Sequence, residues 1–277
     1  MKLIVLSDNN KQDESLESEH GLSIYLETEH AKCLLDTGAG DIFIRNAERL
    51  NIDLKEVDYL FISHGHADHI GGLPYFLEIN KKAKIVMPRK ALTQTYYSKR
   101  IGERNISIDF DITPYLARVI WVDEHTTIDE DIQAFICKTD KYKQPAANTT
   151  LYKRDVSELQ PDDFDHEMVV CIGLNHQLVY TGCAHKGLLN ILESVRGITE
   201  KQVSRIVGGF HLPDGANGRC SETDEELAAI AEYLKDNFPY SEIFTGHCTG
   251  QYAYNELQKT LQTQLTQFYT GFELQTT

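Results

Sequence analysis

The sequence predicts an α/β protein, a four-layer αββα sandwich built from two similar halves. Short apolar strands alternate with amphipathic helices along the chain, and one arrangement of elements occurs twice. In its first copy, Leu22 to Asp36 reads as a hairpin ending Cys33-Leu34-Leu35-Asp36-Thr37-Gly38, followed by a helix and a strand ending in Ser63-His64. In its second, Met168 to Cys183 reads as a hairpin ending Val179-Tyr180-Thr181-Gly182-Cys183, followed by a helix over Leu188 to Val195 and a strand ending in Phe210-His211. Each hairpin-helix-strand unit turns one sheet face to its helices, and two such units bury their remaining faces by packing sheet on sheet. Strand ends from both halves are then expected to open on one edge.

Lys2 to Ser7 is the opening strand, and the first hairpin pairs Leu22 to Glu27 with Ala31 to Leu35 across a turn at Thr28-Glu29-His30. Asp41 to Leu50 has helical spacing, with Ile42, Ala47 and Leu50 apolar. The run Asp58-Tyr59-Leu60-Phe61-Ile62-Ser63 reads as a buried strand, and a helix follows Gly71-Gly72. From Ile106 to Lys153, β-branched residues interrupted by Pro114 and Pro145 read as strands with one long loop. Residues 1–277 are expected to form a single domain. The stretch near 96–161 carries no motif, and is expected to be an inserted or capping segment that sets substrate choice.

With 277 residues, 41% of them hydrophobic and 25% charged, the chain can bury a sizeable core. Its formal net charge of -15 repels polyanions, so nucleic acid is not expected as a partner. An anionic small-molecule substrate would need a local cation. The opening Met1-Lys2-Leu3-Ile4-Val5-Leu6 lacks an export signal, and no apolar run approaches the roughly 20 residues of a membrane span. The expected setting is cytoplasmic, with no membrane partner. Cys33, Cys137, Cys171, Cys183, Cys220 and Cys248 show no CxxC spacing, and in a reducing compartment they read chiefly as buried thiols.

The eleven histidines are more than such a chain usually needs, and several lie beside glycine at strand ends. Ser63-His64-Gly65-His66-Ala67-Asp68-His69-Ile70-Gly71-Gly72-Leu73 is the strongest signal. Two imidazoles two residues apart after a strand project to the same side and can share one borderline divalent ion. Asp68 and His69, in the turn that starts the next helix, can serve a second ion, since paired hydrolytic metals sit about 3.5–4 Å apart. Gly65, Gly71 and Gly72 let the backbone turn sharply at this place.

This HxHxDH motif after a buried strand resembles the binuclear signature of the metallo-β-lactamase superfamily, and Leu35-Asp36-Thr37-Gly38 is similar to that superfamily's first motif. Thr181-Gly182-Cys183-Ala184-His185-Lys186-Gly187, Gly208-Gly209-Phe210-His211-Leu212 and Gly246-His247-Cys248-Thr249-Gly250 resemble the branch that includes an archaeal dihydropterin-ribofuranosylaminobenzene 5'-phosphate synthase. The resemblance implies the superfamily's fold and a centre of one or two divalent ions, zinc foremost, with manganese or iron as alternatives. It implies His185 as the third nitrogen on the first ion, His247 completing the second site with Asp68 and His69, and Asp36 organising the metal loop by hydrogen bonding rather than ligation. Where the superfamily commonly places a bridging Asp, this chain has Cys183, a thiolate that suits zinc but bridges hard ions poorly. The usual Gly-His motif ahead of that strand is missing, and the nearby Asp165-His166-Glu167 reads as a surface turn.

His211 falls where the internal repeat places the counterpart of His64, and is a candidate substrate contact or general acid. The start of a helix near Gln251, with the Thr249 hydroxyl, is a candidate anion site, and Lys186 could supply the local cation. The expected activity is hydrolysis of a small phosphorylated or ester-type substrate by metal-bound hydroxide, oriented by Asp68. Two alternatives stand beside it: a metal-dependent transferase forming a C–N bond on a dihydropterin pyrophosphate, and a non-catalytic metal-dependent ligand-binding protein.

Overall fold

A computed structural model describes residues 1–155 and 158–275. The chain divides into two compact units, one of Met1–Asp123, Leu151–Asp162 and Tyr269–Thr277, the other of Glu124–Thr150 and Asp163–Phe268. The elements of the first stretch are β1 (Lys2–Ser7), β2 (Ser23–Glu27), β3 (Lys32–Leu35), α1 (Ile42–Arg49), β4 (Tyr59–Phe61), α2 (Ala67–Ile70), α3 (Leu73–Ile79), β5 (Lys84–Pro88), α4 (Lys90–Thr93), β6 (Thr95–Ser98), β7 (Arg104–Asn105) and β8 (Val119–Val122). There follow β9 (His125–Asp129), β10 (Ile132–Ile136), β11 (Leu151–Asp155), β12 (Glu158–Pro161), β13 (Met168–Ile172), β14 (His176–Thr181), α5 (Leu188–Ile198), β15 (Gln202–Gly208), α6 (Asp224–Asn237), β16 (Glu242–Thr245), α7 (Gln251–Leu261), β17 (Leu265–Gln267) and β18 (Glu273–Gln275).

The first unit is built on a seven-stranded sheet in the order β18-β1-β2-β3-β4-β5-β8, in which the pairs from β3 through β8 are parallel. Alternate residues of one sheet face, among them Leu6, Leu34, Leu60 and Ile85, form one buried cluster with Phe43 and Ala47 of α1 and Leu73, Phe76 and Leu77 of α3. The α3 contacts fall at i, i+3 and i+4, the stripe that lays a helix on a sheet. Each such aliphatic or aromatic side chain contributes about 1.5–3 kcal/mol on burial. The second unit repeats the plan with a sheet ordered β17-β16-β15-β14-β13-β10-β9, parallel from β14 to β17. There α5 buries Leu188, Ile191, Leu192 and Val195, and α6 buries Leu227, Ala231 and Leu234.

The internal repeat is therefore a repeat of topology. β2 and β3 pair antiparallel, α1 follows, and β4 returns parallel to β3, with Leu34 opposite Leu60. β13, β14, α5 and β15 do the same, with Val179 opposite Ile206. Two expectations change. The strand expected to run to Ser63 ends as β4 at Phe61, because the Ser63 N–H leaves the ladder for the Asp36 carboxylate. The 96–161 segment is not one body: β6, β7, β11 and β12 form their own antiparallel sheet, while β8 extends the first large sheet and β9 and β10 the second. Among the described residues, no helix is long and apolar enough to cross a membrane.

In each unit the motif residues lie just past the carboxyl ends of parallel strands, where α/β sheets place ligands. Asp36 follows β3 and His64 follows β4; Cys183 follows β14, His211 follows β15 and His247 follows β16. Four of these turns contain a non-glycine residue at positive φ: Asp36 at 59°, Ala184 at 56°, His211 at 50° and His247 at 53°. L-residues there store strain, and such strain concentrates at functional sites.

Candidate metal centre

In the first unit, a single buried carboxylate arranges the histidine motif. Asp36 Oδ1 accepts the Ser63 N–H at 2.6 Å, and Oδ2 accepts the Ser63 hydroxyl at 2.6 Å. Having given its one proton to the carboxylate, the Ser63 oxygen acts as acceptor for His64 Nδ1, 2.9 Å away. His69 Nδ1 donates directly to Asp36 Oδ2 at 2.7 Å. Both imidazoles are thus fixed as Nδ1–H tautomers with the lone pair on Nε2, the arrangement second-shell partners give to metal-ligating histidines.

The rings lie together, with centroids 4.1 Å apart for His64 and His69 and 4.6 Å for His64 and His66. Gly65 is required between them, since a Cβ there would come within 2.7 Å of the Ala91 carbonyl and the Tyr96 ring. His66 caps α2, and its Nε2 is 3.9 Å from Asp162 Oδ2. Asp68 Oδ2 lies 3.8 Å from His69 Nε2 and 3.4 Å from Nε2 of the more exposed His20. His20 and Asp162 have no motif around them in the sequence, so only the fold shows their proximity.

The second unit fixes His185 in the same way with different residues. Asn148 Nδ2 donates to the His185 carbonyl at 2.7 Å, which sets the amide so that Asn148 Oδ1 accepts His185 Nδ1–H at 3.2 Å. The lone pair again falls on Nε2. Phe164 stacks on the His185 ring at 4.6 Å and 4°. Glu167, 1% exposed, accepts the His185 N–H at 2.8 Å and the Lys186 N–H at 3.0 Å. The expected surface turn at Asp165-His166-Glu167 is corrected here: His166 and Glu167 are buried, because the carboxylate is needed to hold the turn after β14. A loop asparagine and a carboxylate in a polar tripeptide carry no sequence signal for these roles.

Cys183 is the hub of the second unit's donors. It offers a ligand atom within 4.8 Å of one on each of His185, His211, His247 and Cys248. The His185 and His211 ring centroids are 4.1 Å apart. None of the six cysteines is joined in a disulfide among the described residues. Burial pushes the Cys171 thiol up to about 12 and raises Cys137 and Cys220. Burial acts on Cys248 in the same sense, but Cys183, His211 and the charge of His247 outweigh it and hold that thiol well below the ordinary value.

Lys186 donates its ammonium to the Asp163 carbonyl at 3.2 Å and is only half-buried, which keeps it available to a ligand. Thr249 is differently employed from the expectation. Its buried hydroxyl accepts the Phe210 N–H at 3.0 Å and meets the Thr245 hydroxyl at 2.6 Å, tying the turns after β15 and β16 together. The start of α7 already faces a carboxylate of the chain, since the Tyr252 N–H donates to Asp214 at 3.3 Å.

Comparison with known proteins bears on this geometry. An uncharacterized protein of Methanocaldococcus jannaschii is 28% identical over 87% of this chain and 88% of its own. The 7,8-dihydropterin-6-methyl-4-(β-D-ribofuranosyl)-aminobenzene-5'-phosphate synthase of that organism is 27% identical over 92% of this chain and 89% of its own. The crystal structure of a metal-dependent hydrolase of the β-lactamase superfamily has a TM-score of 0.82 to this chain at 27% identity, covering 100% of this chain and 99% of that one. Residues 18–140, which include Asp36 and the whole histidine motif, match the family model of the metallo-β-lactamase superfamily.

Proposed function

We propose that the protein is a metal-dependent hydrolase of a small phosphorylated or ester-type substrate. One or two divalent ions, zinc foremost, would be held by His64, His66, Asp68, His69, His185 and His247, with Cys183 as a further donor. The observation that carries this reading is the tautomer control: His64, His69 and His185 each have Nδ1–H engaged by a protein acceptor, so each presents its Nε2 lone pair. A structural histidine needs no such uniform arrangement. When bound, divalent ions of this kind lower the pKa of water toward neutrality and polarise the bond to be cut.

The chain's own residues supply the rest. Asp68, partly exposed beside His69 and His20, accepts a proton from the attacking water and orients it. His211 or a second water returns a proton to the leaving group. Lys186 provides the cation that an anionic substrate needs against a net charge of -15.

The relationship to the archaeal synthase favours a second reading, in which the same donors assist departure of pyrophosphate while an amine attacks. A metal-loaded sample screened against phosphorylated pterins, phosphodiesters and lactones separates them. Turnover without an amine acceptor supports hydrolysis, and turnover only with one supports transfer. Full metal occupancy with no turnover on any panel member leaves a ligand-binding protein. His66→Ala and Asp68→Ala are each expected to lower the metal content of the pure protein by elemental analysis; unchanged stoichiometry in both removes these residues from the ligand set.

A further inference from the structure

We propose that Cys183, His211 and Cys248 form a metal site of their own, which takes a borderline divalent cation such as zinc. It lies wholly within the second unit and uses none of the histidines in the His64–His69 motif. The three ligand atoms lie within 4.8 Å of one another, and the residues are 3%, 6% and 8% exposed. In a tetrahedral zinc site with the usual bond lengths, neighbouring donors stand about 3.6–3.8 Å apart, so small side-chain movements suffice.

The second observation is His211 itself. Its ring is buried, and neither Nδ1 nor Nε2 has a hydrogen-bond partner among the described residues. A buried imidazole left so is costly unless something takes up its lone pair. A metal bond to one nitrogen would do so.

The surrounding backbone holds the sulfur in place. The His211 N–H donates to Cys248 Sγ at 3.3 Å, the pattern that steadies a ligating thiolate. Gly209 lies against the same sulfur, where a Cβ would sit 2.3 Å from Sγ. The Phe210 N–H bond to Thr249 fixes the two turns relative to each other.

Charge selects the occupant. Two thiolates and a neutral imidazole around a divalent ion sum to zero, which a dry interior tolerates, whereas a monovalent ion would leave a net negative charge. Sulfur and nitrogen donors favour zinc, iron(II) or cobalt(II) over magnesium, calcium or manganese. Binding releases up to two thiol protons per ion to solvent. With Cys183 and His211 ligating in this way, the hydrolytic ions rely on the histidines and Asp68 alone, and the leaving-group proton in the proposed hydrolysis falls to the second water.

The test uses the full chain, stripped by chelator and titrated with cobalt(II) without oxygen, reading sulfur-to-cobalt charge transfer and bound equivalents. The background is the double variant His64→Ala/His69→Ala, which removes a donor from each of the two ions of the motif centre. That variant is expected to keep one equivalent and a thiolate band. Adding Cys248→Ser or His211→Ala is expected to weaken its binding at least tenfold, while Cys171→Ser, at a thiol on another strand, leaves it unchanged. The proposal is overturned if the double variant shows no thiolate band while remaining folded by circular dichroism, or if neither Cys248→Ser nor His211→Ala changes the band. A Cys183–Cys248 disulfide found by mass spectrometry of the untreated native protein would also overturn it. Failure of the proposed hydrolytic centre reads differently, since wild type and the double variant would then bind the same number of ions.

Discussion

Asp36→Asn is expected to lower metal affinity about 10- to 100-fold while leaving the chain folded. Asparagine keeps the volume of the buried carboxylate and tolerates the φ of 59° at this position. Its one carbonyl oxygen can still accept the Ser63 N–H. Its amide nitrogen, however, turns donors toward the Ser63 hydroxyl and His69 Nδ1, where the carboxylate accepted both. His69 must then carry its proton on Nε2, and Ser63 no longer holds His64 as the Nδ1–H form. The predicted loss falls on ligation without removing a ligand. Chelator-competition titration with zinc measures it, and an affinity equal to wild type would show that the carboxylate does not set the tautomers.

Glu167→Ala is expected to destabilise the protein by about 2–4 kcal/mol, because each buried donor left unpaired costs about 1–3 kcal/mol and the half-buried Lys186 amide recovers part of its share from water. The carboxylate holds two successive amides of the turn after β14. Glu167→Gln, with one remaining acceptor oxygen, should fall between the variant and wild type. Urea unfolding followed by fluorescence checks the series. A shift below about 0.5 kcal/mol in the alanine variant would mean that the turn is held by other contacts.

Much of the fold was legible because its signals are local. Val170–Cys171–Ile172 facing Tyr180–Val179–Leu178 is a hairpin of apolar residues around a Gly173 turn, and the helical spacing of Ala47 puts it on the buried face of α1. The candidate donors His64, His66, Asp68 and His69 stand out for the same reason, being crowded into one motif. The groups that orient donors were not. Ser63 reads as a motif boundary and Asn148 as a loop residue 37 positions from His185, yet each decides where a proton sits on an imidazole. Their role depends on which strand ends become neighbours, and periodicity holds no record of that. The fate of Thr249 shows the converse: a glycine-bounded helix start looks open to anions, but the chain's own Asp214 faces it.

The pairing of β18 with β1 has a consequence for how the protein is made. Lys2, Leu3 and Ile4 meet Gln275, Leu274 and Glu273, so the first sheet receives its last strand from residues more than 260 positions downstream. A nascent chain would hold that edge of β1 unpaired until residues 273–275 are made, while the units' segments alternate along the chain. Pairing of such long sequence separation is slow to form and exposes strand edges in the meantime. Residues 273–275 therefore act as a closing seam for the first sheet, and disrupting them should cost more in folding yield than their small buried area suggests.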